Sequence, residues 1–111
     1  MTKDTNKEIC KFLTLLRALQ KIDVEFPLQY AICFAEISLD EGLSLTQLAE
    51  RTNMAISTVS RIIGALSDAR QKGQPFGLIE VQISRQERRR KELYLSPKGR
   101  QLINTLAGLM V

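Results

Sequence analysis

Hydrophobic positions along the chain change period several times, and each change marks a candidate element. Ile9, Phe12, Leu13, Leu16 and Leu19 recur at helical spacing with Lys11, Arg17 and Lys21 off the stripe, which predicts an amphipathic helix from about Asp4 to Gln20. A second helix is expected from about Pro27 to Leu39. Proline suits a first helical turn, and Ala31, Ile32, Phe34, Ala35 and Ile37 make a broad apolar surface before Asp40-Glu41-Gly42 ends it. Ser44-Leu45-Thr46-Gln47 has the form of a capping box, in which Ser44 accepts a bond from the Gln47 amide while the Gln47 side chain reaches back. The short helix that starts there takes Leu45, Leu48 and Ala49 as its apolar side and breaks at Thr52-Asn53.

Another periodic run opens at Ala55. Ile56, Val59, Ile63 and Leu66 share a narrow arc of the helical wheel, with Ser57, Arg61, Gly64 and Asp68 opposite, so the first set is expected inside and the second outside. This helix should fade through Gln71-Lys72-Gly73-Gln74-Pro75, a run of breakers. Leu78 to Ile83 is dense in β-branched residues and Leu93-Tyr94-Leu95 echoes it across the polar stretch from Ser84 to Arg90, the pattern of a two-stranded hairpin. Ser96-Pro97 then opens a final helix with the apolar stripe Leu102, Ile103, Leu106 and Met110. The expected fold is mainly α with a small β-hairpin wing, a winged helix-turn-helix. One domain is expected over residues 1–111, with an N-terminal dimerisation helix at 1–25, the helix-turn-helix at 43–70, the wing at 77–96 and a C-terminal helix at 97–111.

Composition narrows the function. With 44% hydrophobic and 25% charged residues the chain has the balance of a globular protein. No apolar run approaches the ~20 residues of a membrane span, and the polar start Met1 to Glu8 lacks the order of a signal peptide, so a cytoplasmic, nucleoid-associated protein is expected. There is no histidine, and the two cysteines, Cys10 and Cys33, lack metal-type spacing. Nor is there a carboxylate cluster or a nucleophile–base pair. No metal, cofactor or enzymatic activity is therefore expected, and the cysteines read as small core residues, a redox role being the alternative.

Charge is unevenly divided. Residues 1–50 carry five basic and eight acidic side chains, 5 − 8 = −3, whereas residues 51–111 carry eleven and four, 11 − 4 = +7. The second part is thus suited to a polyanion. Within it, a short helix, a turn and an outward-polar helix make a reader of the major groove, with Ser57, Thr58, Ser60 and Arg61 as the candidate contacts. Arg61 has two roles open to it, a forked bond to guanine or a grip on a phosphate. The hairpin tip from Arg85 to Lys91 holds Arg85, Arg88, Arg89, Arg90 and Lys91 with the single acid Glu87, a phosphate-binding composition.

These residues resemble the MarR family of bacterial transcription regulators. The resemblance runs from about Leu43 to Leu102 and rests on Thr58-Val59-Ser60-Arg61, Gly77-Leu78-Ile79, Glu87-Arg88-Arg89 and Leu95-Ser96-Pro97-Lys98-Gly99. Glu87 stands where the family carries aspartate and Ser96 where it carries threonine, and the stretch from Leu66 to Gly77 is longer than the family's. The resemblance implies that Arg89 is the wing arginine, and it allows a small aromatic effector, although the residues themselves predict no ligand. The expected function is sequence-specific binding of double-stranded DNA as a homodimeric repressor on a palindromic site, with Ile9, Phe12, Leu13, Leu16, Leu19, Leu102, Leu106 and Met110 as the dimer contacts. The alternative is a winged-helix protein-interaction module whose basic wing docks an acidic partner.

Overall fold

The computed structural model describes residues 3–68 and 75–111. The elements follow in the order α1 (Lys3–Gln20), α2 (Leu28–Leu39), α3 (Leu45–Thr52), α4 (Ile56–Leu66), β1 (Ile79–Ile83), β2 (Lys91–Leu95) and α5 (Pro97–Leu109). This is the winged helix-turn-helix expected, with two differences at helix ends. Pro27 precedes α2 as its N-cap (φ −67°, ψ 139°) instead of occupying the first turn, and its carbonyl accepts the amides of Tyr30 and Ala31. Its ring is compatible with extended backbone as well as with helix, and the extended form starts the helix one residue later.

The second difference lies at the end of α4. The helix stops at Leu66, so Asp68 is beyond it and not on its outward face; the predicted fading through residues 71–75 lies outside the described residues except for Pro75. Ser67 closes the helix by donating its hydroxyl to the Ile63 carbonyl (2.7 Å). The carbonyls of Ala65, Leu66 and Ser67 then accept the amides of Phe76 (3.0 Å), Leu78 (2.7 Å) and Gly77 (2.9 Å). Helix carbonyls that would otherwise need water are thus satisfied by the strand entering the wing.

The capping box of α3 is present in both directions: the Gln47 amide donates to Ser44 Oγ (3.2 Å) and the Ser44 amide to Gln47 Oε1 (2.9 Å). The helix ends on Asn53 in the left-handed region (φ 56°), a conformation that asparagine tolerates better than most residues. That sharp turn lets α4 start within three residues of α3 and cross it.

α2, α3 and α4 enclose a core of Phe34, Ile37, Leu48, Val59, Ile62 and Leu66, which Leu78 and Leu93 complete from the hairpin, all of them essentially inaccessible to solvent. Ile62, which the narrow arc omitted, is inside, whereas Ile56, expected inside, is 53% exposed. Ile56 is the first residue of α4, at the edge of the core, and so is only partly covered. Cys33 lies in this core, where burial, aided by the nearby Glu36 carboxylate, pushes its thiol up to about 11. Cys10 is exposed on α1 and is not the core residue expected, because it falls on the side of that helix turned away from the chain's own core.

β1 and β2 pair antiparallel from Ile79↔Leu95 to Ile83↔Lys91. A third rung comes from the α2–α3 connection: the Gly42 amide donates to the Leu93 carbonyl (2.7 Å), the Leu93 amide to the Leu43 carbonyl (3.0 Å), and Ser44 bridges Glu92. Gly42 is at φ +97°, where only glycine is unstrained, and it lies beneath the Tyr94 ring. Glu41 adds a side-chain clamp, accepting from the Leu95 amide (2.9 Å) and from Arg100 Nη2 (2.8 and 2.9 Å). These bonds, the Arg100 pair first, hold its carboxyl below the ordinary carboxylate value of 4.5.

α5 begins at Ser96, whose hydroxyl accepts from the Gly99 amide (2.9 Å) and donates to the Gly77 carbonyl (2.6 Å). Gly99 touches the backbone of Leu78 so closely that a Cβ there would stand 2.0 Å from the Leu78 carbonyl oxygen. α1 runs along α5 and contributes Leu15, Ala18 and Leu19 to the edge of the core, with Ile22 just beyond it. Its far end projects. The extents are 52 × 27 × 26 Å and the radius of gyration is 15.2 Å, against about 13 Å for a compact chain of this length.

Two outcomes follow. Gly99→Ala should lower the urea midpoint strongly, by the equivalent of about 3 kcal/mol or more, because the clash is with backbone that cannot rotate away. Glu41→Gln should destabilise at neutral pH and converge on the parent as pH falls through the folded value, which lies below 4.5: a carboxyl whose folded value is depressed contributes above its unfolded value, and that contribution disappears as pH falls through the folded one. Urea titrations at pH 7 and at successive steps below pH 4.5 compare the two, and a deficit that does not shrink as pH falls would show that the charge is not what Glu41 supplies.

Candidate nucleic-acid interface

α4 presents its outer face where the wing tip begins. Val59, Ile62, Ile63 and Leu66 anchor the inner face, which leaves Ser57, Ser60 and Arg61 exposed and Thr58 half-buried at the edge. All four candidate readers therefore lie on one helix, three of them fully turned to solvent. The outward side chains next to Arg61 are short, so a partner surface can approach the α4 backbone closely. Ala55 at the N-cap provides no side-chain bond, and the first-turn amides of α4 are left to solvent or to a ligand.

The wing tip is a built turn. Ser84 is buried, and its hydroxyl accepts the amides of Gln86 and Glu87 (both 3.2 Å), while the Ser84 amide donates to the Arg90 carbonyl (2.9 Å) and the Arg90 amide to the Glu87 carbonyl (2.9 Å). This folding turns Arg85, Arg88, Arg89 and Lys91 outward, all exposed. Arg89 and Lys91, with Arg90 and Glu87, line one side of an open groove of about 560 Å³ whose other wall is Ser44, Leu45, Thr46 and Gln47 at the start of α3 together with Ile56 at the start of α4. The cationic ribbon thus flanks the N-terminal end of α4. Arg85 and Arg88 belong to the tip beyond the groove.

Arg90 differs from the other wing arginines. It is only half exposed, its Nη2 donates to Gln47 Oε1 (3.2 Å), and its Nε is shielded from water without a hydrogen-bond partner, the one buried side-chain polar atom so placed among the described residues. Arg90, expected as a DNA contact, also ties the wing to the capping box of α3, since the same Gln47 oxygen accepts the Ser44 amide. Gln47, Thr46 and Ile56 were not among the expected site residues. The capping box accounted for Gln47 and the apolar arc for Ile56, so neither carried a separate signal.

The expected dimer contacts divide. Ile9, Phe12, Leu13 and Leu16 are exposed along α1 (51%, 56%, 44% and 38%), and Met110 is exposed at the end of α5. Leu19 and Leu102 are half-buried against the chain's own core. Leu106 is buried within that core and is not free to meet a partner, because α5 turns it toward the interior of its own chain. Leu13 and Leu16 continue into an apolar groove of about 540 Å³ with Val24, Phe26, Leu28 and Ala31. Among the described residues no group of histidine, cysteine, aspartate or glutamate side chains is placed to hold a metal ion, and no helix is long and apolar enough to cross a membrane.

The IclR helix-turn-helix domain family matches residues 34–70, the stretch that holds the second half of α2 and all of α3 and α4. No curated protein matches the chain. Solved structures do, at the level of fold. The Staphylococcus aureus MepR–DNA complex is 19% identical over 84% of this chain and 69% of its own, with a TM-score of 0.71. The PcaV transcriptional regulator of Streptomyces coelicolor, solved with its natural ligand, is 20% identical over 78% of this chain and 56% of its own, at 0.63. MarR itself is 20% identical over 84% and 61%, at 0.66. The chain therefore spans about three-fifths of the length of regulators such as MarR and PcaV, and it has their winged-helix fold.

If Arg90 and Gln47 act as one unit, their truncations should not add. Arg90→Ala and Gln47→Ala are each expected to destabilise by about 1 kcal/mol, with the double variant less unstable than the sum by at least about 0.5 kcal/mol. A cycle of urea unfolding measurements decides this, and strict additivity would mean that Arg90 does not tie the wing to α3.

Proposed function

We propose that the chain is a sequence-specific double-stranded DNA-binding transcription regulator, a repressor that occupies a palindromic site as a homodimer, in the cytoplasm on the nucleoid, with no enzymatic activity. The observation that carries this reading is the groove in which the cationic wing faces the first residue of α4, the helix that exposes Ser57, Ser60 and Arg61. A major groove admits a helix of this kind, and the neighbouring phosphate ridge lies where a wing beside the helix would meet it. In the division of labour proposed, Ser57, Thr58, Ser60 and Arg61 serve base edges and nearby phosphates. Arg85, Arg88, Arg89 and Lys91 neutralise the backbone, while Arg90 keeps the wing in place. Likeness in fold to regulators solved on DNA supports the same reading.

Dimerisation is proposed through the exposed apolar side of α1, with Ile9, Phe12, Leu13 and Leu16 at its centre and Met110 at its margin. A row of large apolar side chains at i, i+3, i+4 and i+7 is costly to leave in water, and pairing two copies removes it. A two-fold arrangement would set two reading helices about one turn of duplex apart, ~34 Å, which is why a palindromic site is proposed.

Gel shifts on a selected duplex test the reading. Arg61→Ala should weaken binding by about 1–3 kcal/mol and relax preference at one base position, whereas Arg89→Ala should weaken all sequences alike and reduce the salt slope by about one. Two chains per duplex are expected by analytical ultracentrifugation. Binding unaffected by both substitutions, or an acidic protein partner retained after nuclease treatment in the absence of any duplex affinity, would replace this reading with that of a protein-interaction module.

A further inference from the structure

Ile56 is a large apolar side chain that the fold leaves in contact with water at the head of the proposed reading helix. It occupies the first position of α4 and is 53% exposed. It lines the groove with Gln47, Glu87, Arg89 and Arg90, at the end of the helix nearest the wing. Ser60 lies one turn further along almost the same line of the helix, about 40° away on the wheel, and Ser57 is beside it. On the wheel Ile56 falls between the outward hydroxyls and the buried arc of Val59 and Ile63, so a branched hydrocarbon borders the small hydroxyls at the leading end of the helix. The hydroxyls and Arg61 can exchange hydrogen bonds with base edges. Ile56 has no hydrogen bond to offer.

The major groove carries donors and acceptors on every base pair but only one apolar group, the C5 methyl of thymine, and N-terminal residues of a reading helix are the ones that reach base edges. We propose that Ile56 is a specificity-determining residue that packs on a thymine methyl in each half-site. The inference rests on the DNA-binding reading and deepens it by naming the base. Branching at Cβ restricts the side chain to few rotamers, so little freedom is lost when its methyl groups meet the base. The short side chains of Ser57 and Ser60 allow the approach. Cytosine, which presents hydrogen where thymine presents methyl, leaves Ile56 without a partner and is discriminated against at that position.

Replacement of thymine by uracil removes that methyl and leaves every hydrogen-bonding group unchanged, which makes the test a chemical double-mutant cycle. A bound duplex is first selected from a random library by the full chain, and each thymine is then replaced in turn by uracil. With the parent protein one symmetry-related pair of thymines should respond, each uracil weakening binding by about fourfold, the worth of one buried methyl group. Ile56→Ala and Ile56→Ser, changes at an exposed position that leave the core untouched, should bind the thymine and uracil duplexes equally at that pair, while their response to loss of Arg61 is unchanged. Uracil substitutions without effect on the parent, or a loss of the same size in the Ile56 variants, overturn the assignment and leave DNA binding standing. If no duplex is retained from the library at all, the DNA-binding reading itself fails and the assignment falls with it.

Discussion

The pairing of β2 with the connection between α2 and α3 determines what the rest of this molecule can do. A two-stranded hairpin alone is marginal in water, and in this chain the strands gain a third rung from Gly42, Leu43 and Ser44. Leu78 and Leu93 enter the helical core from the same ribbon, each contributing roughly 1.5–3 kcal/mol through burial. The wing is consequently part of the helix-turn-helix core and not an appendage to it. Its charged tip keeps a constant relation to α4, without which five cations on a mobile loop would attract polyanions yet impose no register on them.

Gln47 shows how closely the two halves of the surface are joined. One oxygen caps α3 through the Ser44 amide and receives Arg90 from the wing, so the geometry that starts the first helix of the motif also locates the ribbon. The acidic N-terminal part is built on a different principle. α1 lends its lower turns to the core through Leu15, Ala18 and Leu19, and then carries Ile9 and Phe12 out past it. The proposed pairing surface is thus apolar, where the proposed DNA-facing surface is cationic and carries hydroxyls.

Most of the element order was legible because it rests on local rules. The capping box at Ser44 and Gln47, the Ser96-Pro97 start of α5 and the β-branched run before Ile83 each specify a boundary within a few residues, and the structure has them in place. The site was legible in its charges and its hydroxyls. What could not be read depends on contacts between elements. An apolar arc assigns Ile56 to the interior but does not know that α4 begins at the edge of the core, and an arginine run gives no sign that Arg90 folds back while its neighbours do not. Leu106 and Leu16 have the same character in the sequence, yet packing of α5 hides one and the projection of α1 exposes the other.

The closure of α4 by the approach to β1 has an evolutionary corollary. Because amides from residues 76–78 seat directly on the carbonyls of residues 65–67, the ends of the intervening segment are pinned whatever its length. Doubling such a segment raises the entropic cost of closing it by only about 0.6 kcal/mol. Insertions and deletions between those anchors are therefore expected to leave the wing in place.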